Sequence, residues 1–215
     1  MLLVVVVFIG AACVDDGATT DETVASGLDP VGVVAALLSA VDEGRFDDTA
    51  PLSDSSQAGL LSLAEGADAN EVVEALEDGG AAVVANFWSG FAQTLEEDFD
   101  PGELELEAGD VITEEDARFV IVTATPPSGD PLRFVVRRDG PWRVDLMGTF
   151  GPVLAERLIP PVEALLSSAN SNAGVILTRL RDTAPSLRVA AQSPDVAPAS
   201  HQLILTLIER VTRAG

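Results

Sequence analysis

The chain has 215 residues, 47% of them hydrophobic, which supplies a packed core and excludes a disordered polymer. Its 35 acids against 12 bases leave a net charge of −23, and so acidic a chain lacks the clustered cations that a phosphate backbone requires, which excludes nucleic acid as a partner. The charge is uneven: 27 acids and a single base, Arg45, precede Arg118, whereas from Arg118 onward 11 arginines outnumber 8 acids.

The first element is the apolar run Leu2 to Ala12. It is shorter than the roughly 20 residues a membrane-spanning helix needs. It matches the apolar region of a signal peptide, which takes about 7–15. The small residues Gly10, Ala11 and Ala12 then precede Cys13, the one cysteine of the chain. This GAAC segment resembles the lipobox of bacterial lipoproteins, in which small side chains suit the signal peptidase and the cysteine is acylated and becomes the new N-terminus. The resemblance implies a signal peptide over 1–12, lipidation of Cys13 by diacylglycerol and palmitate-like chains, and a cell-membrane anchor facing outside the cytoplasm. Residues 13–28, rich in Asp, Thr and Gly, read as an acidic flexible linker. With Cys13 consumed, neither a disulfide nor thiol chemistry remains available.

Asp29-Pro30 is a helix start, a capping acid followed by proline in the first turn. Val33, Val34, Leu37, Leu38 and Val41 recur at helical spacing, and Gly44 closes the helix. Leu60, Leu61 and Leu63 mark a loosely helical stretch. Asp68 or Asn70 can cap a short helix carrying Val72, Val73 and Leu76, ended by Gly79-Gly80. Val84, Phe87, Trp88, Phe91 and Leu95 then form one apolar, aromatic stripe on a helix.

Next the period changes to two. GELELEAG alternates, with Leu104 and Leu106 on one side and Glu103, Glu105 and Glu107 on the other. ARFVIVTAT, PLRFVVRR and PWRVDLM read as three further strands, separated by the PPSGD turn and by Asp139-Gly140, a strong hairpin signal. Alternation in the last strand places Trp142, Val144 and Leu146 inward and Arg143 and Asp145 outward, toward solvent. Beyond Gly148 the helical period returns. Pro160-Pro161 is expected to break one segment and start another over Val162, Leu165 and Leu166. Two more helices follow, one over Val175, Ile176 and Leu180 and one over Leu203 to Val211, with residues 193–200 as linker.

The predicted class is therefore α+β: N-terminal helices on a bent four-stranded antiparallel meander, then extra C-terminal helices. The order of elements, the first helix ending in DEGRF and the closing hairpin RRDGPWRVDLM resemble the nuclear transport factor 2-like superfamily, which includes SnoaL-like proteins. The resemblance implies a domain over 29–148, with 149–215 as a helical extension. It further implies a cone with an apolar cavity, for which Phe87, Trp88, Phe91, Phe134 and Trp142 are the candidate lining.

The chemistry-bearing residues are sparse. His201, the one histidine, reads as a solvated residue at the start of a helix and lacks a second His or Cys for a metal site. No Gly-x-Ser-x-Gly elbow or phosphate-binding glycine loop occurs. The acids at Asp98, Asp100, Glu103 and Asp110 do not match a calcium loop and read as a solvated face. Some superfamily members are isomerases with a carboxylate base. Asp145 is the acid at that position, but no Tyr is present to supply an oxyanion donor. The expectation is a non-catalytic binding or accessory module, without cofactor or metal, for an apolar small molecule or an envelope protein. A small isomerase or hydrolase of the same fold and a structural envelope protein are the alternatives.

Overall fold

A computed structural model describes residues 27–77, 81–93, 100–193 and 198–213. The apolar leader, Cys13, Gly79-Gly80, Leu95 and Asp98 lie outside them.

Helix α1 (Pro30–Asp42) starts as the sequence predicts: the Asp29 carboxylate accepts the Gly32 N–H at 2.7 Å and Pro30 occupies the first turn. Gly44, at φ 69°, ends it in the left-handed conformation that suits glycine. A short α2 (Ser55–Leu61) runs on into a single 3₁₀ turn. The start of α3 (Ala69–Glu77) is a reciprocal capping box, in which Asp68 accepts from Asn70 and Glu71 while Glu71 accepts the Asp68 N–H. Helix α4 (Ala81–Ala92) carries the aromatic stripe.

The sheet is antiparallel and has five strands rather than four: β1 (Glu105–Ala108), β2 (Ile112–Glu114), β3 (Ala117–Thr125), β4 (Leu132–Arg138) and β5 (Trp142–Val144). Both β1 and β2 pair with β3, one after the other. Ala108 lies opposite Val122 and Ile112 opposite Phe119, so the segment between β1 and β2 holds one residue more than its partner and forms a bulge. A one-residue slip moves a side chain to the other face. Leu106 therefore shares a face with Val122, Val120, Phe134 and Val136 in the main core, where α1 packs. Ile112 instead joins Phe119 on the opposite face, in a smaller core with Val135, Val189 and Ala190. The outer edge of β5 is occupied too: Val144 N–H donates to Leu52 at 2.8 Å and Asp54 N–H to Val144 at 2.9 Å.

Beyond the sheet come α5 (Leu146–Leu166), α6 (Ser171–Asp182), α7 (Ala184–Ala191) and α8 (Pro198–Thr212). The expected break at Pro160-Pro161 does not occur, and α5 runs through Pro152, Pro160 and Pro161. Proline in a helix removes backbone hydrogen bonds. Here packing outweighs that loss, because α5 is the central helix, touching α2, α6, α7, α8 and β4 and burying Ala155, Leu158 and Val162 completely. The expected domain boundary at 148–149 falls inside this helix, and one continuous core joins residues from both sides of it. The region after α5 also holds one helix more than expected, since Thr183 divides α6 from α7 with Pro185 in the first turn of α7.

Candidate functional site

The aromatic stripe of α4 faces the start of α5. Phe87, Trp88 and Phe91 each meet Phe150 edge-on, with ring centroids 4.9, 5.6 and 5.6 Å away. Edge-to-face packing of this kind adds to ordinary burial. Trp88 is fully buried, and its indole N–H donates to the Ser53 hydroxyl at 3.3 Å. Phe134 is likewise a core residue on β4. Trp142 stands apart at the hairpin, half-buried, with the Arg138 guanidinium 5.6 Å from its ring centre.

Beside this cluster lies a pocket of about 480 Å³, walled by the end of α4, β3, β4, the N-terminal half of α5, the end of α7 and the start of α8. Phe91, Phe134, Phe150, Ile121, Leu132 and Leu203 contribute apolar surface, and Arg133, Glu156, Ser193 and Ser200 contribute polar groups. Of the five aromatic residues that the sequence singles out, Phe91 and Phe134 line this pocket, whereas Phe87, Trp88 and Trp142 do not. Phe150 was not singled out; it lies in LMGTFGPVL, where its spacing to Leu146 and Met147 is a helical one. Val153, also in the lining, is 82% exposed, an apolar side chain presented to solvent at the pocket.

Asp145 overturns the expectation from alternation. It is fully buried, because β5 ends at Val144 and Asp145 is the N-cap of α5 rather than a strand residue. Its Oδ1 accepts the Gly148 N–H at 2.7 Å. Its Oδ2 accepts the Gln57 amide at 2.9 Å and the Ser186 hydroxyl at 2.6 Å. Gln57 returns its carbonyl to the Met147 N–H at 2.7 Å and donates a second bond to Asp54 at 3.1 Å. One carboxylate thereby ties α2, α5 and α7 together. Burial raises its pKa above the ordinary carboxylate value, the bonds from Ser186, Gln57 and Gly148 pull it back, and nearby Asp54 raises it further.

His201 is half-buried rather than solvated, with Nδ1 3.2 Å from the Ala191 carbonyl, and so links the start of α8 to the end of α7. Among the described residues no helix is long and apolar enough to cross a membrane. No protein family, curated protein or solved structure matches the chain.

Proposed function

We propose that this chain is a lipid-anchored, extracytoplasmic module that holds a small apolar ligand in the pocket between α4, the sheet and α5. The observation that carries the reading is the pocket itself. Its volume falls within the several hundred Å³ common for ligand sites, and its walls are aromatic and aliphatic with a few polar groups, which is how such sites combine affinity with orientation. The lipobox-like GAAC sequence supports the anchor, and the order of helices and antiparallel strands supports kinship with the nuclear transport factor 2-like cone.

A second reading, acid–base catalysis by Asp145, draws support from the burial of that residue and its raised pKa. A general base needs a lone pair aimed at substrate. Both oxygens of Asp145 are instead committed to Gly148, Gln57 and Ser186, which favours the binding role.

Titration with N-phenylnaphthylamine, a neutral apolar fluorophore, tests the first reading. Wild type is expected to bind saturably. Val153→Asp, which places a charge at an exposed position of the pocket without touching the core, is expected to weaken binding by about ten-fold, since an apolar ligand seated there would lose the valine contact and strip water from the carboxylate. Equal binding by both proteins, or none by wild type, would overturn it.

A further inference from the structure

At the other end of β4 lies a larger cleft, about 920 Å³, bounded by the β2–β3 turn, the β4–β5 hairpin, the start of α2 and the junction of α6 with α7. Six of the twelve arginines line it. Their arrangement is unusual for so acidic a chain. Arg137 and Arg143 are direct cross-strand neighbours on β4 and β5, where like charges repel. Arg181 comes to the same cleft from the last turn of α6. The Nε atoms of Arg137, Arg143 and Arg181 are shielded from solvent and have no hydrogen-bond partner among the described residues. A buried donor left unpaired is costly, and more so on a charged group.

Acids are not scarce. Arg45, Arg188, Arg210 and Arg213 each hold a carboxylate, Arg188 within the cleft itself, whereas Arg137, Arg143 and Arg181 hold none among the described residues. The helix dipole accounts for arginine at the end of α6, but no such field acts on the strand residues Arg137 and Arg143. Of the seven acids that line the cleft, four are engaged with other groups and three stand in solvent, where screening weakens their pull on the arginines. Glu114 and Glu115 are taken by Arg188, Asp54 bonds Ser56 and Gln57, and Asp145 is fully coordinated. Asp116, Asp139 and Asp182 are solvent-exposed. Arg137 is steadied by the Phe119 ring, 6.0 Å from its guanidinium carbon, a contact that orients it without supplying an anion.

We propose that this cleft binds a soluble multivalent oxyanion, a small molecule bearing two or more phosphate or carboxylate groups, held by Arg137, Arg143 and Arg181. Arginine suits the role because its planar fork meets such groups with two parallel hydrogen bonds. The cleft is several times larger than one phosphate group needs, which leaves room for the body of the molecule. This site is separate from the apolar pocket and stands or falls without it.

The test is calorimetric titration with sodium pyrophosphate at constant ionic strength, on wild type, Arg143→Gln, Arg181→Gln and the charge-matched control Arg157→Gln. Arg157 is solvent-exposed and outside the cleft. Wild type should bind saturably. Each cleft variant should raise Kd by about ten-fold or more, the loss of one charge-assisted fork, while the control stays near wild type. Without ligand, Arg143→Gln should melt no lower than Arg157→Gln, since it removes a repelling neighbour, a result that a merely structural arginine would not give. Absence of saturable heat from wild type would overturn the proposal whether or not the variants fold. Equal weakening in all three variants would also overturn it, as would binding to phosphatidylglycerol vesicles without any response to pyrophosphate.

Discussion

Asp145 shows how one residue escapes a pattern argument. Alternation along PWRVDLM holds to Val144 and then fails, because the next residue leaves the strand to cap a helix. The cap itself was legible: an Asp followed by the long apolar run LMGTFGPVL is a helix start. Its other partners were not, since Gln57 and Ser186 are 88 and 41 residues away in sequence and nothing local marks them. Replacement by Asn should destabilise the fold by about 1–3 kcal/mol, because the new amide hydrogens face the Gln57 amide, whose carbonyl is already committed to Met147. The pH dependence has a definite sign. The folded carboxyl holds its proton more tightly than in the unfolded chain, so its contribution to stability is complete at acid pH and is lost as pH rises through the raised folded value. Urea unfolding of wild type and Asp145→Asn across acid to neutral pH should show the wild-type advantage narrowing as pH rises. An advantage that widened would contradict the assignment.

At the scale of elements, helices with strong local signals were readable and those fixed by tertiary contacts were not. Asp29-Pro30 and Gly44 bound α1 as read, and Asp139-Gly140 turns the last hairpin with Gly140 at φ 81°. The β2–β3 turn carries no such signal, since Glu115 adopts φ 54° without glycine or asparagine. Arg188 compensates by bridging Glu114 and Glu115 from α7, a contact 73–74 residues distant that the sequence does not announce. The prolines of α5 mislead in the opposite way, because a central helix packed on several sides tolerates what an exposed one would not. Two glycines set how closely that helix approaches its neighbours. A Cβ on Gly148 would lie 2.9 Å from the Cβ of Val135, and one on Gly151 would lie 2.8 Å from the Leu187 side chain. The Val135 Cβ is fixed to the backbone of β4, whereas the Leu187 methyl can swing away. Gly148→Ala should therefore cost about 1–3 kcal/mol by overpacking and Gly151→Ala less, in the same denaturant assay. A Gly151 variant that proved the less stable of the two would contradict this account of the α5–sheet contact.

Across the whole molecule, the class read from the sequence, α+β with helices before and after an antiparallel sheet, is the one the structure has. What the pattern could not give was closure: a bulge that sends Ile112 to the second face, and C-terminal helices that share a core with the N-terminal half instead of extending from it. The charge asymmetry was legible as a count, but not as a place. It takes the fold to bring the late arginines to one cleft while the apolar pocket opens at the opposite end of the same strand. The central claim joins that pocket to a lipid tether at Cys13. Native mass spectrometry of the full-length protein, expressed in a bacterium and extracted from membranes in mild detergent, tests both parts in one spectrum. The account predicts a chain beginning at Cys13, carrying diacylglycerol, with a small apolar adduct released on gentle activation. A soluble chain that retains Met1, bears no lipid and carries no adduct would contradict it.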